Sequence, residues 1–406
     1  MKKIHPWFTV SLLSLLLLFL TACSEATPSI HELAQTYAAQ TRTAMPMESA
    51  TPPPTDTLEP TVTATATQTS TSKPNESTYP VGPVDFPENV NPLTGLAVAN
   101  PENLNRRPVF VKVANYPTSG RPHAGLSAAD MVFEYYIGYG MNRFMGLYYG
   151  ENAEKIGPIR SGRLVDPQIV HMYQGVLGFW GAYVTILDHI QEILGERALS
   201  GMSDACPALC DDGGGTVISK FGDSKLLTEL ADARGVENRK YPLEGMVFDP
   251  QSPEGAADGS SVTVLYSALN RGEWRFDAES GLYLRWIEDT SSGQLQMIPL
   301  SDRQTEQQLN FANVIVLLAY HTEYAPSMHD VDFWGNTTGQ RAVIFRDGKA
   351  LDAIWKAPRN DQPIQFFNQA GEPVALKPGN SWVVIMGLNS ATSEDDGSWT
   401  FNFELP

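Results

Sequence analysis

Apolar and β-branched runs separated by turn-forming residues dominate the chain from residue 86 onwards. In the first part of this region the runs are short and bounded by Gly, Pro, Asn or Asp, which is typical of strands. The predicted strands are 109–114, 130–137, 143–149 and 176–182. Between them lie loops rich in turn formers, among them NYPTSGRPHAGLS at 115–127 and KIGPIRSGR at 155–163.

Two helices are predicted among these strands. Asp166-Pro167 resembles a helix start, with Asp166 as the N-cap and Pro167 at the first helical position, and this helix would run to about Tyr173. The apolar spacing of VTILDHIQEIL predicts a second helix over 184–194. Strands mixed with helices indicate an α/β-layered domain, which we place at residues 86–238.

The pattern changes in the second half of the chain. Strand-like segments predominate there, and several are joined by turns of two to four residues that contain Gly or Asp. Arg346-Asp347-Gly348-Lys349 is the strongest of these hairpin signals. The segments are 261–267, 272–289, 313–324, 340–357 and 381–388. We therefore predict a mainly antiparallel β domain over residues 239–406, which makes the fold class α+β.

The N-terminus has the features of an export signal. Lys2 and Lys3 precede an apolar run that is too short to span a bilayer comfortably, and the run ends in Leu20-Thr21-Ala22-Cys23. This ending resembles a bacterial lipobox, so we predict a signal peptide over residues 1–22 and a lipid on Cys23. The alternative is an ordinary secretory signal with an accidental cysteine. The prediction places the protein outside the cytoplasm, attached to the cell membrane by acyl chains.

A tether is predicted between this anchor and the folded part. Residues 23–85 are dominated by Thr, Pro, Ala and Ser, as in TPPPTDTLEPTVTATATQTSTS at 51–72. Such a segment cannot bury a core, because its side chains are small or polar and its prolines lack backbone donors. We expect it to be extended and to hold the folded part away from the membrane.

Charge and cysteine content exclude several classes of partner. The formal net charge is −18, which argues against nucleic acid as a partner. With Cys23 assigned to the anchor, the remaining cysteines are Cys206 and Cys210, which we predict to form a structural disulfide outside the cytoplasm. A redox-active dithiol is the alternative, although the spacing is not Cys-x-x-Cys. A four-cysteine zinc site would need a second pair.

Motifs spread along the folded part resemble those of the YerB-type bacterial lipoproteins, which consist of two domains of unknown function. The matching stretches are NPLTG at 91–95, Arg107-Pro108, RPHAGLSAADMVFE at 121–134, Arg143-Phe144, GPIRSGR at 157–163, Tyr283-x-Arg285, Asn313-Val314-Ile315-Val316 and FRDGK at 345–349. The resemblance implies a surface lipoprotein, without an established activity. Better-known members carry an Ala-Pro-His-Asn-like segment where this chain has CPALCDDGGGTVISKF, so the role of that histidine does not carry over.

The loop KIGPIRSGR is the main candidate for a binding site. Its glycines, the guanidinium groups of Arg160 and Arg163, and the start of the following helix together favour an anion such as a carboxylate or a phosphate. A structural role, with the two arginines paired to Asp130 and Glu134 of the neighbouring strand, is slightly favoured over an external anion, and the two roles are compatible. The candidate ligand-binding residues are Arg121, His123, Glu134, Arg143, Arg160, Ser161 and Arg163.

Other chemistry has weaker support in the sequence. No Gly-x-Ser-x-Gly, His-Glu-x-x-His or P-loop motif occurs, and no cofactor is predicted. His321, Glu323, His329 and Asp330 could supply metal ligands, but a turn separates the histidines, so no metal site is predicted. The aromatic residues Tyr135, Tyr136, Tyr139, Tyr148, Tyr149 and Trp180 would suit a sugar platform, although a place in the core is favoured.

The sequence leaves three functions open. We favour a non-catalytic binding or scaffold module of the cell envelope with a cell-wall or small anionic ligand. The alternative is an extracytoplasmic hydrolase or transferase that acts on cell-wall material through Glu134 or Asp130 with His123. A structural protein whose β domain docks to a partner is the third.

Overall fold

A computed structural model describes residues 79–405. The predicted signal peptide, the lipidation at Cys23 and most of the predicted tether lie outside the described residues. The last part of the predicted tether is included, and it belongs to the folded unit, because Val81 and Phe248 exchange two backbone hydrogen bonds of 2.9 Å. No helix in residues 79–405 is long and apolar enough to cross a membrane.

The first half of the described chain forms three α-helices and seven short to medium strands. The helices are α1 (Val165–Met172), α2 (Val184–Leu194) and α3 (Ser224–Ala233). The strands are β1 (Val109–Ala114), β2 (Met131–Gly138), β3 (Met141–Tyr148), β4 (Val176–Phe179), β5 (Ala198–Ser200), β6 (Leu209–Asp211) and β7 (Lys220–Gly222). Short 3-10 turns occupy Pro101–Leu104, Thr118–Gly120, Leu126–Ala128 and Gly195–Arg197.

The second half consists of strands. They are β8 (Val247–Phe248), β9 (Ala257–Asp258), β10 (Ser261–Ser267), β11 (Asn270–Asp277), β12 (Leu282–Asp289), β13 (Gln296–Pro299), β14 (Asn310–Phe311), β15 (Asn313–Ala319), β16 (His321–Ala325), β17 (Met328–Val331), β18 (Asn336–Arg346), β19 (Lys349–Ala357), β20 (Gln365–Phe367), β21 (Ala375–Leu376), β22 (Ser381–Gly387), β23 (Ala391–Asp395) and β24 (Ser398–Asn402). Strands outnumber helices throughout, which confirms the α+β class in its coarse form.

One mixed sheet of eleven strands organises the fold. Its order is β20-β19-β18-β15-β22-β2-β3-β1-β4-β5, with β9 added beside β19. At the centre, β22 pairs in parallel with both β15 and β2, so strands from both sides of the predicted boundary at residues 238 and 239 share this sheet. A second sheet has the order β13-β12-β11-β10-β24-β23, with β14 beside β12. Most pairs of the second half are antiparallel, as predicted, but the β15–β22, β10–β24 and β8–β21 pairs are parallel.

The central sheet is covered on both faces. Strands β1 and β2 are buried along their whole length, which is why their sequences are almost continuously apolar. One face carries Phe110 and packs against Ile169 of α1 and Ile186 of α2. The opposite face carries Val111 and packs against α3 and the second sheet.

Local predictions were accurate where local chemistry sets the conformation. Helix α2 covers the predicted residues 184–194. The hairpin between β18 and β19 turns at Asp347 and Gly348, whose φ angles are 55° and 71°. Two successive positive φ angles are the geometry of a type I′ turn, for which Asp-Gly is a favoured sequence.

The predicted start of the first helix was wrong. Helix α1 begins at Val165 without a side-chain cap, and Asp166 lies inside its first turn. The Asp166 carboxylate accepts a hydrogen bond from the backbone N–H of Arg163 at 2.7 Å. It also forms an ion pair with Lys112 of β1 at 2.8 Å. The carboxylate of Asp166 therefore pairs with the buried Lys112 of β1 and does not act as a helix cap. The residues next to Asp166 in the sequence do not reveal this pairing.

A buried ion pair joins the central sheet to the second sheet. Glu134 of β2 accepts hydrogen bonds from Trp382 Nε1 of β22 at 2.8 Å and from Asn142 Nδ2 at 2.5 Å. Its carboxylate also lies 3.3 Å from the guanidinium of Arg285 on β12, and both side chains are almost completely excluded from solvent. The guanidinium lies 4.0 Å from the ring centre of Trp274. Burial is the main cause that raises the pKa of Glu134, and Arg285 acts against it.

Replacing Arg285 should test how strongly this contact holds the two sheets. Arg285→Met leaves Glu134 buried without its counter-charge, which should lower the free energy of unfolding by about 3–5 kcal/mol in urea denaturation. The double variant Glu134→Gln/Arg285→Met should recover part of that loss. Arg341→Met, which breaks an exposed pair with Asp352, should cost no more than about 1 kcal/mol. Equal losses for Arg285→Met and Arg341→Met would contradict the assignment.

The shared sheet also predicts that the first half cannot fold alone. In a fragment of residues 79–238, β2 loses the backbone partners that β22 supplies from Ser381 to Ile385. We expect this fragment to lack cooperative thermal unfolding followed by circular dichroism, whereas residues 79–405 should unfold cooperatively. A cooperative transition in the short fragment would show that the boundary at residue 238 separates independent folding units.

Candidate functional site

The seven candidate site residues fall into two groups in the structure. Arg143, Arg160, Ser161 and Arg163 line one cleft of about 530 Å³. Other residues of its lining are Trp180, Gly181, Ala182, Tyr183, Leu187, Gln191, Ser200, Met202 and Ser203. Arg121, His123 and Glu134 do not line it. We refer to this space as the arginine cleft.

Backbone hydrogen bonds on both sides fix the loop that carries Arg160 and Ser161. The N–H of Arg160 donates to the carbonyl of Lys112 on β1 at 3.0 Å. On the other side, the carbonyl of Arg160 accepts from Trp180 N–H at 3.0 Å, and Gly162 N–H donates to Gly181 at 2.9 Å. The loop is therefore held between β1 and the segment that follows β4, without using its charged side chains.

The arginine side chains make few contacts with the protein. Arg143 donates to the Ser161 carbonyl at 2.8 Å and Arg163 to the Gly162 carbonyl at 2.9 Å. The Nε atoms of Arg160 and Arg163 are buried without a hydrogen-bond partner. Among residues 79–405, no carboxylate lies within 4.0 Å of these three guanidinium groups. Their positive charge is therefore not neutralised by a carboxylate at contact distance among the described residues, although Arg143 and Arg163 are themselves buried.

A buried polar cluster lies beneath the arginine cleft. Lys112 and Asp166, both fully buried, form the ion pair of 2.8 Å, and the hydroxyl of Tyr135 hydrogen-bonds to both. The pKa of Lys112 is lowered to about 7, mainly by burial. The charge of Asp166 acts against this shift, and the charges of Arg143 and Arg163 act with it. Asp166 also accepts the Arg163 N–H, so this cluster positions the loop from below.

Positive charge exceeds negative charge at this site. Within residues 79–405, the four cations Arg143, Arg160, Arg163 and Lys112 share one neighbouring carboxylate, that of Asp166. Burial holds the pKa of Arg143 well below its ordinary value, and the neighbouring charges of Arg163 and Arg160 act in the same direction. Mutual repulsion of this kind is relieved when an anion binds, because the added charge is opposite in sign.

The walls of the arginine cleft add apolar surface and a helix terminus. Tyr183 and Met202 are 65% and 71% exposed at the rim, although both side chains are large and apolar. Helix α2 begins at Val184 beside them with no side-chain cap. Its first N–H groups are therefore free of side-chain acceptors, although Val184, Thr185 and Ile186, which carry them, do not line the cleft.

Arg121 and His123 serve the structure elsewhere. Arg121 pairs with Glu288 of β12 at 2.7 Å and also donates to the Glu288 carbonyl at 2.8 Å. His123 is fully buried and its Nε2 lies 2.7 Å from the Ala114 carbonyl. Burial lowers the pKa of His123 to about 3, so it is neutral at ordinary pH. Arg121 therefore joins the first half of the chain to β12, and His123 holds its loop against the end of β1.

Glu134 and Asp130 are not the partners of the loop arginines, and that structural alternative was wrong. Glu134 faces the second sheet, because alternate residues of a strand point to opposite faces, and its cation is Arg285. Asp130 accepts from Asn91 Nδ2 at 2.8 Å and from Tyr149 N–H at 2.6 Å. With Glu134 and His123 fully buried, the acid–base set expected for a hydrolase does not reach a common open site.

Two further groups of candidate residues have structural positions. Cys206 and Cys210 form the predicted disulfide, with their Cα atoms 5.0 Å apart. His321 and His329 meet across the β16–β17 hairpin, with ring nitrogens 2.7 Å apart, while Glu323 is exposed. In residues 79–405 no group of three or more His, Cys, Asp and Glu side chains has the arrangement of a metal site.

Lys112 is the residue that sequence reasoning missed. It occupies the fourth position of the strand VFVKVA, where every other residue is apolar. A lysine in such a run must reach solvent or find a counter-charge, and this signal could have been used. The identity of the counter-charge could not, because Asp166 lies 54 residues further along the chain.

Comparison with known proteins assigns the chain to a family. Residues 93–214 match the family described as "Protein of unknown function (DUF3048) N-terminal domain", and residues 262–383 match its C-terminal domain. The protein named "Putative lipoprotein YerB" from Bacillus subtilis (strain 168) is 24% identical over 317 aligned residues, and the alignment covers 75% of this chain and 88% of that protein.

A solved structure shares the fold. The crystal structure of the YerB protein from Bacillus subtilis superposes with a TM-score of 0.61 at 22% identity, covering 73% of this chain and 96% of the other. The two domain matches, the relative and the common fold agree with one another. The chain belongs to the YerB-type family, whose two domains have no assigned biochemical activity.

Proposed function

We propose that this protein is a non-catalytic binding module of the cell envelope that holds an anionic ligand in the arginine cleft. The observation that carries the proposal is the set of three guanidinium groups, from Arg143, Arg160 and Arg163, without a carboxylate partner among the described residues. Guanidinium groups bind carboxylates and phosphates with paired hydrogen bonds, so these are the anions we infer.

Attachment to the membrane is part of the proposal. The Leu20-Thr21-Ala22-Cys23 sequence supports lipidation of Cys23, and the relative from Bacillus subtilis is itself named as a lipoprotein. A lipid anchor followed by the segment 24–78 would place the arginine cleft within reach of cell-wall material. Cell-wall polymers carry both carboxylates and phosphates, which are the chemical groups that the cleft suits.

The net charge of the protein bears on selectivity. At −18, the whole chain repels anions at long range, so a diffuse electrostatic attraction cannot account for binding. The cleft must act through short-range hydrogen bonds to a ligand that fits, and screening by salt should weaken it less than it weakens a surface patch. A specific small group is therefore favoured over a general polyanion.

Arg160 offers the sharpest test. It is half-buried and makes no side-chain hydrogen bond within the described chain, so Arg160→Ala removes a ligand group with little loss of structure. We expect calorimetric titration of the full-length protein in detergent with acetate and with phosphate to show binding of at least one anion. Arg160→Ala should weaken that binding by tenfold or more, roughly the value of one charge-assisted hydrogen bond.

Arg341→Ala is the matched control, because Arg341 is an exposed arginine whose partner is Asp352. It should leave the affinity unchanged. If neither anion binds to the wild type, or if both alanine variants lose the same affinity, the proposed site is wrong.

Binding should also depend on pH through Lys112. Its pKa near 7 means that it is mostly charged at pH 6 and mostly neutral at pH 8.5. An anion in the cleft favours the charged form, so binding takes up a proton and affinity should fall as pH rises, by up to about tenfold. Sulfate is the appropriate probe, because its own charge does not change over this range.

Lys112→Met should abolish this pH dependence in the same titration. The double variant Lys112→Met/Asp166→Asn avoids an unpaired buried carboxylate if the single variant folds poorly. A wild-type affinity for sulfate that is constant between pH 6 and pH 8.5 would contradict the coupling, as would an unchanged profile in the variants.

A further inference from the structure

A second cavity adjoins the arginine cleft. It encloses about 190 Å³ and shares Arg160, Ser161 and Trp180 with the cleft. The rest of its lining is Ile159, Gly215, Thr216, Val217 and Lys220. We call it the threonine lobe. Because three residues belong to both spaces, a ligand anchored by its anionic group in the cleft can continue into the lobe.

The threonine lobe has a preformed wall. Asp211 of β6 accepts the N–H groups of Gly213 at 3.1 Å and Gly215 at 3.2 Å, and the Ser219 hydroxyl at 2.7 Å. The same carboxylate pairs with Lys220 of β7. These contacts hold the glycine-rich segment between β6 and β7 in one conformation, so the lobe does not have to be assembled by the ligand.

The chemistry of the lobe differs from that of the cleft. The charge of Lys220 is neutralised by Asp211, so the lobe beyond Arg160 is close to neutral. Ser161 and Thr216 line it, and in the described part of the chain neither hydroxyl has a hydrogen-bond partner. The half-buried side chain of Trp180 lines both the lobe and the cleft. The lobe thus offers hydroxyl groups beside an aromatic ring, whose centre lies 5.0 Å from Lys220 Nζ.

We propose that the ligand of this site is a sugar that carries a carboxylate, with the carboxylate in the arginine cleft and the sugar ring in the threonine lobe. The inference rests on the proposed function and extends it by naming the carrier of the anion. A sugar ring has apolar C–H faces that pack on an aromatic ring and hydroxyls that pair with Ser161 and Thr216. The lobe has the volume of roughly six water molecules, which suits a single ring.

An aliphatic carrier fits the lobe less well. It would cover the hydroxyls of Ser161 and Thr216 without replacing their hydrogen bonds to water, and such unpaired groups reduce affinity. A bare anion would leave the lobe filled by water and gain nothing from it. The carboxylated sugar can come from two sources, a uronic acid or the lactyl ether of a muramic acid, and these share the chemistry that the site recognises.

The test compares sugar acids with the anion alone. The full-length protein in detergent is titrated calorimetrically with acetate, glucuronate, N-acetylmuramate and neutral glucose. We expect at least one of the two sugar acids to bind about tenfold more tightly than acetate, and glucose to bind more weakly than that sugar acid. The tighter of the two sugar acids identifies the source. Acetate and both sugar acids binding equally would overturn the inference while leaving the anion site intact.

Thr216→Val separates the lobe from the cleft. Thr216 is exposed and its side chain makes no protein hydrogen bond, so the variant should fold. It should weaken the preferred sugar acid by about fivefold and leave acetate unchanged, whereas the exposed control Thr338→Val should change neither. An equal loss for acetate and the sugar acid in Thr216→Val would also overturn the inference. If no anion binds to the wild type, the proposed function fails together with it.

Discussion

The buried contact between Glu134 and Arg285 is the constraint on which the rest of the structure depends. Its carboxylate lies in the central sheet and its guanidinium in the second sheet, and Trp382 of β22 donates to the same carboxylate. Neither charge can be hydrated, so the energy of both depends on keeping the two sheets in register. The close packing extends to Gly272, where a Cβ atom would approach the guanidinium to 2.4 Å. The two halves of the sequence consequently pack as one unit, and neither keeps these contacts without the other.

On the opposite face of the central sheet, cations outnumber the carboxylates that neighbour them. Lys112 is matched by Asp166 inside the protein, as Arg285 is matched by Glu134. Arg143, Arg160 and Arg163 then add cations for which the described chain supplies no carboxylate. An unmatched set of buried or half-buried cations lowers stability, and this set lies in a cleft rather than under a loop. Perturbed charges in a cleft are the physical reason for our proposal that this face binds a ligand.

Sequence reasoning succeeded where the determining contacts are local. The apolar spacing of residues 184–194 defines helix α2, and Asp347-Gly348 defines a hairpin turn, because each depends on residues a few positions apart. It also brought together Arg143, Arg160, Ser161 and Arg163 as candidates, and these four do line one cleft. It failed for Arg121, His123 and Glu134, whose partners Glu288, Ala114 and Arg285 are set by packing between elements.

The sequence by itself determined the strand and helix periods, the loop that carries the arginines, the acidic character of the chain and the family. These follow from neighbouring residues and from composition. Only the tertiary structure decided which anion each cation meets. Glu134 and Arg285 are 151 residues apart, and Lys112 and Asp166 are 54 apart. Charge pairing acts over a few ångströms in space, and that distance has no fixed relation to separation along the chain. Only the tertiary structure shows that the guanidinium groups of Arg143 and Arg163 meet backbone carbonyls and no carboxylate among the described residues.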